Sequence, residues 1–334
     1  MISEPPVVTV LVPSYNHASF IKERVLSIIN QSYKNFELIV IDDKSPDESG
    51  DILLELQNEY GFKYIRRTKN SGTPFAAWED ICRLASGKYI WVCESDDVAH
   101  NGFLDAAVKA LNNNSEAVMF YCNSDFIDVD SQVIGNTYDY FHGTWKNDRW
   151  DNSFVTDGFE ELREFQLIGQ TVPNMSSALF RTDSFKKAYQ PSLKKLKLTG
   201  DWLFVGRVIA QGKVIFDKRI LSQFRHHEET ARVRVKSAMS QAEFIITKYH
   251  LFKLAKWPVK NFASVMGVDV IRHLYEPANG MGVLKAMLKI SPIDTFKFAL
   301  NFGVSIIKNP DLIKKYKSRR DHAKQWKIDN ETTE

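Results

Sequence analysis

Apolar runs and helical stripes of apolar residues alternate along the first 97 residues of the chain. Runs rich in β-branched and aromatic residues predict buried strands at 7–12, 36–41, 62–66 and 89–93. Apolar residues at helical spacing, with Pro and Gly near the expected ends, predict helices at 18–31, 46–60 and 74–86. Strands that alternate with helices in this way predict a mostly parallel, doubly wound α/β sheet.

The middle of the chain is less regular. The pattern continues with a predicted helix at 103–112 and a strand at 117–123. Residues 124–170 carry aromatic side chains among Asn and Asp and predict a long loop. Because aromatic faces suit sugar rings, this loop is interpreted as acceptor-side surface, and packing of the aromatic rings under the loop is the alternative. The elements expected after this loop are a strand at 171–180, a helix that Thr182 and Asp183 can cap, a helix at 202–211, and short strands at 214–216 and 220–224. Beyond residue 236 the pattern predicts helices only, with breaks at Pro258, 277–280, Pro292 and Pro310.

Polar residues follow three of the predicted strands directly. The first strand ends in 13–16 (PSYN), the second in 42–45 (DDKS), and the strand at 89–93 in 94–97 (ESDD). Ligands of open parallel sheets bind outside the carboxyl ends of the strands, so one shared crevice is expected. Three carboxylates within 94–97 suit Mg²⁺ or Mn²⁺ together with substrate phosphates. The alternative is an acidic helix N-terminus, where Asp and Glu are favoured anyway.

These motifs resemble those of family 2 glycosyltransferases. The resemblance is carried by 10–16 (VLVPSYN), Asp42-Asp43 before Ser45, the Asn70-x-Gly72 loop, ESDD at 94–97, 199–202 (TGDW) and 225–227 (RHH), and it covers roughly residues 7–235. It implies a GT-A fold (Rossmann-like) and an inverting enzyme that uses a nucleotide-sugar donor. Glu94 stands where the family more usually has Asp.

The resemblance also implies roles for single residues. The residues implied in nucleotide binding are Pro13, Tyr15, Asn16, Asp43, Asn70 and Asp96. The ring of Tyr15 would stack on the base, although a core aromatic is the alternative. Asp43 would accept hydrogen bonds from the base and Asp96 from the ribose. Asp42 is expected to serve the fold by bonding the turn.

For the metal, a Mn²⁺ or Mg²⁺ cofactor, the preferred ligand is Asp97, with Asp96 beside it and His227 closing over the diphosphate. Glu94, Arg225 and His226 are expected near the diphosphate, since Arg binds phosphate with two hydrogen bonds. A solvated His pair on a loop is the alternative reading of 226–227.

Asp201 is implied as the catalytic base. A carboxylate base opposite the leaving diphosphate permits a single displacement with inversion. From its place at a predicted helix start alone, an N-cap is the more ordinary role. A nucleotide-sugar-binding protein without turnover is the alternative to an enzyme.

Composition limits the class of protein. The chain has 334 residues, a net charge of +3 and three cysteines without metal-ligand spacing. The first residues carry no signal peptide, and no apolar run approaches the ~20 residues that span a bilayer, so a cytoplasmic protein is expected. Neither a phosphate-binding loop nor a zinc finger occurs, so nucleic acid is not expected as a partner.

Positively and negatively charged residues are unevenly distributed along the chain. Residues 236–334 hold 17 Lys and Arg against 9 Asp and Glu, a net charge of +8, which leaves −5 for residues 1–235. We expect a catalytic domain at 1–235, with a nucleotide-binding half at 1–97 and an acceptor half at 98–235, and a basic helical region at 236–334. The acceptor is expected to be a glycan or a lipid-linked glycan. Residues 280–334 predict either a peripheral membrane contact or packing on the catalytic domain or a second subunit of a homo-oligomer.

Overall fold

The computed structural model describes residues 5–227, 237–262, 266 and 277–308. The chain divides into two compact units, Met1–Val233 and Arg234–Glu334.

The first unit is built on one sheet of ten strands. The strands are β1 (Val8–Ser14), β2 (Phe36–Asp42), β3 (Lys63–Arg66), β4 (Tyr89–Val92), β5 (Val98–Ala99), β6 (Ala117–Ile127), β7 (Val133–Asn136), β8 (Phe154–Thr156), β9 (Ala178–Arg181) and β10 (Lys213–Arg225). Along the main path they run in the order β3-β2-β1-β4-β9-β6-β10-β5, while β7 pairs with β6 and β8 with β10. The pairs among β3, β2, β1 and β4 are parallel, as is β6 with β10. The predicted α/β sheet is confirmed.

Helices flank this sheet. They are α1 (Ala18–Ile29), α2 (Ser49–Tyr60), α3 (Phe75–Leu84), α4 (Phe103–Asn113), α5 (Thr137–Trp145), α6 (Gly158–Glu161), α7 (Thr182–Ala188) and α8 (Gly200–Ile209). Gly61 ends α2 with a φ of 72°, in the left-handed region that glycine reaches without a steric cost. The core lies between α1, α2 and α4 and the sheet, where Trp91 of β4 stacks on Phe103 with ring centroids 4.5 Å apart.

The strand register brings the polar strand ends together. Ser14 at the end of β1 pairs with Asp42 at the end of β2, and Leu11 pairs with Val92 at the end of β4. The motifs that follow β1, β2 and β4 therefore leave the sheet at one edge, as parallel strands require.

The prediction of a long loop at 124–170 is wrong. Strand β6 continues to Ile127, and β7, α5, β8 and α6 occupy much of the remaining segment. Phe141 and Trp150 stack with their planes 11° apart, and both are fully buried. Phe141 and Trp150 therefore pack beneath this segment. Their burial could not be predicted from the sequence, because hydrophilic residues lie between them along the chain.

Three smaller expectations also differ from the structure. The strand predicted at 171–180 shrinks to β9, because Met175–Ser177 forms a 3₁₀ turn. Arg181 occupies the N-cap of α7, while the hydroxyl of Thr182 donates to the carbonyl of Gly87 at 2.6 Å, so Thr182 and Asp183 do not cap that helix. The two strands predicted between 214 and 224 are one strand, β10, whose pairing with β6 shifts register between Asp217 and Ile220.

The described part of the second unit is helical, as predicted. Its helices are α9 (Ser237–Leu254), α10 (Pro277–Ile290) and α11 (Pro292–Lys308), with a 3₁₀ turn at Val259–Asn261. Pro277 begins α10, so the boundary expected there is a helix start, with residues 278–280 already inside the helix, and proline is tolerated in a first turn. The break expected at Pro310 lies outside the described residues. Of the helices described, none combines the length and the apolar character that a bilayer crossing requires.

Candidate functional site

The loop between β1 and α1 is held by side chains of the loop between β2 and α2. Asn16 has a φ of 58°, which turns the chain sharply into α1. Its amide donates to Ser45 Oγ at 3.0 Å, and the amide of His17 donates to Ser49 Oγ at 3.2 Å. Asp47 accepts from the first amide of α1 at 2.9 Å. The two loops therefore form one side of the crevice as a unit.

Asp42 and Asp43 have different surroundings. Asp42 is fully buried and accepts from the amide and the hydroxyl of Ser45 at 2.8 and 2.6 Å. Asp42 thus stabilises the turn after β2, which is the structural role expected of it. Asp43 accepts from the amide of Ser71 at 3.0 Å and pairs with Arg67 at 3.1 Å. Asp43 therefore anchors the loop that contains Asn70.

The remaining residues expected at the nucleotide lie around these loops. Pro13 is half-buried near the end of β1. Tyr15 is 41% exposed, so the core alternative for it is wrong. The side chain of Asn70 accepts from the amide of Gly72, whose φ of 73° fits glycine, and Lys197 Nζ donates to the carbonyl of Gly72.

The ESDD segment leaves β4 towards β9 and β10. The amide of Glu94 donates to Ser176 Oγ at 3.0 Å. Asp97 is buried, and its carboxylate accepts from the amide of Arg225 at 3.0 Å and from the side chain of Asn174 at 3.1 Å. The carboxylate expected to be the main metal ligand therefore lies in the packing beneath the crevice.

Asp96 lies at the crevice with two histidines. His227 Nε2 is 3.0 Å from Asp96 Oδ2, and one ligand atom each of His17, Asp96 and His227 lie within 4.8 Å of one another. Two imidazole nitrogens and a carboxylate oxygen are a donor set that fits a divalent transition metal. Among the described residues this group does not include Asp97. The prediction missed His17, and the signal was a histidine in the first strand-end loop.

The acids of this motif influence one another strongly. Burial and the charges of Asp97, Asp96 and Asp201 hold the pKa of Glu94 well above its ordinary value. Burial and Asp96 raise the pKa of Asp97 to about 6, against the opposing charge of Arg24. Although burial opposes it, the hydrogen bond with His227 and the charge of His17 lower the pKa of Asp96. A cation bound beside these acids would relieve the repulsion that raises the pKa values of Glu94 and Asp97.

Arg24 of α1 supplies a buried positive charge that acts on Asp97. Its side chain is fully buried on α1, and its guanidinium lies 5.3 Å from the ring centroid of Trp91. Its charge lowers the pKa of the buried Asp97. The pattern of apolar residues did not indicate this arginine, because it occupies a core-facing position of an otherwise apolar helix stripe.

Asp201 stands in the first turn of α8. Its Oδ2 accepts from Gln170 Nε2 at 2.9 Å and its Oδ1 from the amide of Trp202 at 2.8 Å. Thr199 occupies the N-cap, so the N-cap alternative for Asp201 is wrong. The charge of Asp201 adds to the raised pKa of Glu94, after burial and the charges of Asp97 and Asp96. Gln170 was not predicted, and no motif marked it.

Arg225 and His226 differ from His227 in position. Arg225 is buried and donates to the carbonyl of Asp96 at 2.8 Å and to the carboxylate of Glu23 at 2.7 Å. His226 is exposed and packs on the rings of Phe126 and Phe224. The structure thus brings His227 to Asp96, uses Arg225 to brace the crevice, and leaves His226 on other partners.

Solved structures share this architecture. The structure of S. aureus TarS in complex with UDP-GlcNAc superimposes with a TM-score of 0.64 at 16% sequence identity, covering 93% of this chain and 91% of that one. The mannosyltransferase PcManGT from Pyrobaculum calidifontis, in complex with GDP-Man and Mn²⁺, gives a TM-score of 0.55 at 16% identity, covering 95% and 83%. The expected GT-A fold is confirmed.

Comparisons with protein sequences also find glycosyltransferases. An uncharacterized glycosyltransferase of Rickettsia prowazekii is 32% identical over 130 residues, which are 39% of this chain and 40% of the relative. The matched region is therefore well under half of that protein. The family described as Glycosyl transferase family 2 matches residues 9–187, more than half of the chain. The family expected from the strand-end motifs is confirmed, and the chain belongs to glycosyl transferase family 2.

Proposed function

We propose that the protein transfers a glycosyl group from a nucleoside diphosphate sugar to a hydroxyl acceptor, with inversion. The observation that carries this proposal is the cluster of His17, Asp96 and His227, whose candidate ligand atoms lie within 4.8 Å of one another, in a chain that belongs to glycosyl transferase family 2. Asp201, whose two oxygens accept from Gln170 and from the Trp202 amide, is the proposed base. A covalent nucleophile is not needed for a single displacement.

The donor is held by the loops after β1, β2 and β3. The exposed ring of Tyr15 offers a stacking surface for the base. Asp43 is positioned for hydrogen bonds with the base by Ser71 and Arg67, and Asn70 lies on the same anchored loop. A UDP-sugar is our expected donor, in line with the UDP-GlcNAc bound by TarS, while the GDP-Man of PcManGT makes GDP the comparison nucleotide.

A divalent ion, Mn²⁺ or Mg²⁺, is proposed to bind at Asp96 and His227, whose donor atoms fit it. When bound, such an ion supplies positive charge against the departing diphosphate. Asp97 accepts from the Arg225 amide and remains a second proposed ligand, since a carboxylate with one such hydrogen bond keeps lone pairs for an ion. Glu94 lies within the same group of acids.

Asp201 accepts the proton of the acceptor hydroxyl as that oxygen attacks the sugar. Gln170 and the Trp202 amide each donate to one of its oxygens, so its carboxylate is held in one orientation. The hydroxyl belongs, in our proposal, to a glycan or a lipid-linked glycan, and exposed surface within residues 98–235 receives it. Peripheral contact of residues 280–334 with a membrane would bring a lipid-linked acceptor close.

Binding and turnover test the proposal together. We expect isothermal titration to show tighter binding of UDP than of GDP, strengthened by Mn²⁺, and a donor screen to show slow hydrolysis of at least one UDP-sugar. A nucleotide-sugar-binding protein without turnover would bind UDP equally well and hydrolyse none of the donors. Nucleotide binding without any transfer to added acceptors or to water would therefore favour that alternative.

A further inference from the structure

We propose that His17, Asp96 and His227 form a metal site with three protein ligands, which binds a divalent transition-metal ion in the absence of nucleotide. The inference rests on the proposed function only for the use of the ion. The presence of the ion is a property of these three side chains and is tested without donor or acceptor.

The distances suit one ion. Metal–nitrogen and metal–oxygen distances of about 2.0–2.2 Å put two ligands of one ion at most about 4.4 Å apart. The three candidate atoms lie within 4.8 Å of one another, and His227 Nε2 is 3.0 Å from Asp96 Oδ2. Small side-chain shifts would therefore let all three atoms bind one ion.

The fold directs His17 into the crevice. His17 is the N-cap residue of α1, yet its side chain makes no capping hydrogen bond. Asp47, from the loop after β2, accepts from the first amide of the helix instead. Another residue satisfies that amide, and the imidazole of His17 reaches across to Ser95 of the ESDD segment.

The ring of His17 is oriented from the metal motif itself. Its Nδ1 lies 2.7 Å from the hydroxyl of Ser95, the residue between Glu94 and Asp96. A histidine that binds a metal through one nitrogen normally has its other nitrogen fixed by such a partner. The ring of His227 makes an edge contact with His17 at 5.7 Å and a tilted contact with Phe20 at 5.4 Å between centroids. Both imidazoles are thus positioned before any ion arrives.

The donor set also selects the ion. Mg²⁺ prefers oxygen ligands and is commonly held by one or two carboxylates plus substrate phosphates, so it depends on the nucleotide. Imidazole suits transition metals such as Zn²⁺, Fe²⁺ and Ni²⁺, and affinities rise from Mn²⁺ through Co²⁺ to Ni²⁺ at a given site. Two imidazoles and one carboxylate therefore favour a transition metal over Mg²⁺, with or without a donor.

The test is metal binding by the full chain with no nucleotide present. We expect the wild-type protein to bind one Mn²⁺ per chain by electron paramagnetic resonance, and Co²⁺ more tightly, with Mg²⁺ a poor competitor. His17→Gln should weaken Mn²⁺ binding about 100-fold, and Ser95→Ala about 10-fold. His226→Gln, an exposed histidine next to His227, is the matched control and should keep the wild-type dissociation constant.

The Co²⁺ complex gives a second measurement. Visible absorption bands of bound Co²⁺ should change in His17→Gln and stay the same in His226→Gln. Absence of stoichiometric binding to the wild-type protein, or wild-type affinity in His17→Gln, would overturn the proposal. If His17→Gln does not fold, the wild-type stoichiometry and Ser95→Ala decide. None of these readings depends on sugar transfer, so failure here and failure of the proposed function are separate results.

Discussion

At the scale of single residues, the site depends on carboxylates that are held by specific neighbours. Asp201 receives one hydrogen bond on each oxygen, from Gln170 and from the Trp202 amide. Asp97 is equally constrained but faces the interior, between Asn174 and Arg225. Asp201 and Asp97 are chemically alike, and the residues that surround each of them determine its role in the site.

The first prediction concerns the proposed base. Asp201→Asn preserves the size of the side chain and its bond from the Trp202 amide but removes its basicity. We expect the affinity for UDP-sugar to persist while the transfer rate falls by about 10²-fold or more. Single-turnover transfer and isothermal titration on the same preparation measure the two effects. An Asn variant as active as wild type would show that another group accepts the proton.

The second prediction concerns Arg24. Arg24→Met removes a buried guanidinium that packs on Trp91 and whose charge lowers the pKa of Asp97. Because that charge favours the ionised form of Asp97, we expect the variant to lose stability relative to wild type, on the order of 1 kcal/mol, as the pH rises above about 6 in urea titrations. The control is Lys22→Met, an exposed position on the same helix, which should stay near wild type.

A double variant tests the cause of that loss. If the loss comes from Asp97, then Arg24→Met combined with Asp97→Asn should lose less stability than the two single losses added together. Strict additivity would mean that Arg24 acts only through its packing on Trp91.

At the scale of elements, the crevice depends on two loops that complete each other. The hydroxyl of Ser45 donates to Asp42 and accepts from the amide of Asn16, so it joins the loop after β2 to the loop after β1. The loop after β1 carries both Tyr15 and His17. Its shape is therefore set by a neighbouring loop rather than by its own residues.

The third prediction follows from this joint. Ser45→Ala removes both bonds and leaves the buried Asp42 with one partner fewer, which should lower the free energy of unfolding by about 1–3 kcal/mol. We also expect the dissociation constant for UDP to rise about 10-fold, because a loss near 1.4 kcal/mol is tenfold in affinity. Ser19→Ala, an exposed serine on α1, is the control. Unchanged UDP affinity in Ser45→Ala would mean that the loop after β1 keeps its shape without this bond.

At the scale of the whole molecule, the second unit presents an apolar and basic surface. Exposed apolar side chains of α10 and α11 occur together with lysines on the same helices; they are Met281, Leu284, Leu288, Ile293, Phe296, Leu300 and Ile307, with Lys285, Lys289, Lys297 and Lys308. Exposed apolar residues beside lysines suit an anionic membrane interface, where each Lys contributes about 1 kcal/mol. The other basic residues of 280–334 lie outside the described residues.

The fourth prediction tests that surface. Ile293 and Phe296 are 67% and 69% exposed, so Ile293→Ser with Phe296→Ser should fold normally and lose most binding to anionic vesicles in co-sedimentation. Val133→Ser with Ile134→Ser, which are 58% and 59% exposed in the first unit, is the matched control. Equal sedimentation of both double variants with wild type would exclude this surface as the membrane contact and favour packing on protein.

The sequence by itself determined the sheet, the strand-end motifs and the family. Apolar runs mark buried strands locally, and parallel strands then bring their carboxyl ends to one edge without further information. This is why Tyr15, Asp43 and Asp96 could be placed at one edge of the sheet, whereas Asp201 was proposed only from the resemblance to the family. The strands and helices within residues 124–170 were not predicted, because polar residues there interrupt the regular spacing of apolar residues from which strands and helices are predicted.

The tertiary structure alone decided which of these side chains meet. Asp97 is turned inward by Asn174 and Arg225, which lie 77 and 128 positions further along the chain. His17 reaches Asp96 because Asp47 caps its helix and Ser95 orients its ring. The direction of a side chain at a strand end is set by partners from distant segments, and the spacing of residues along the chain carries no record of them.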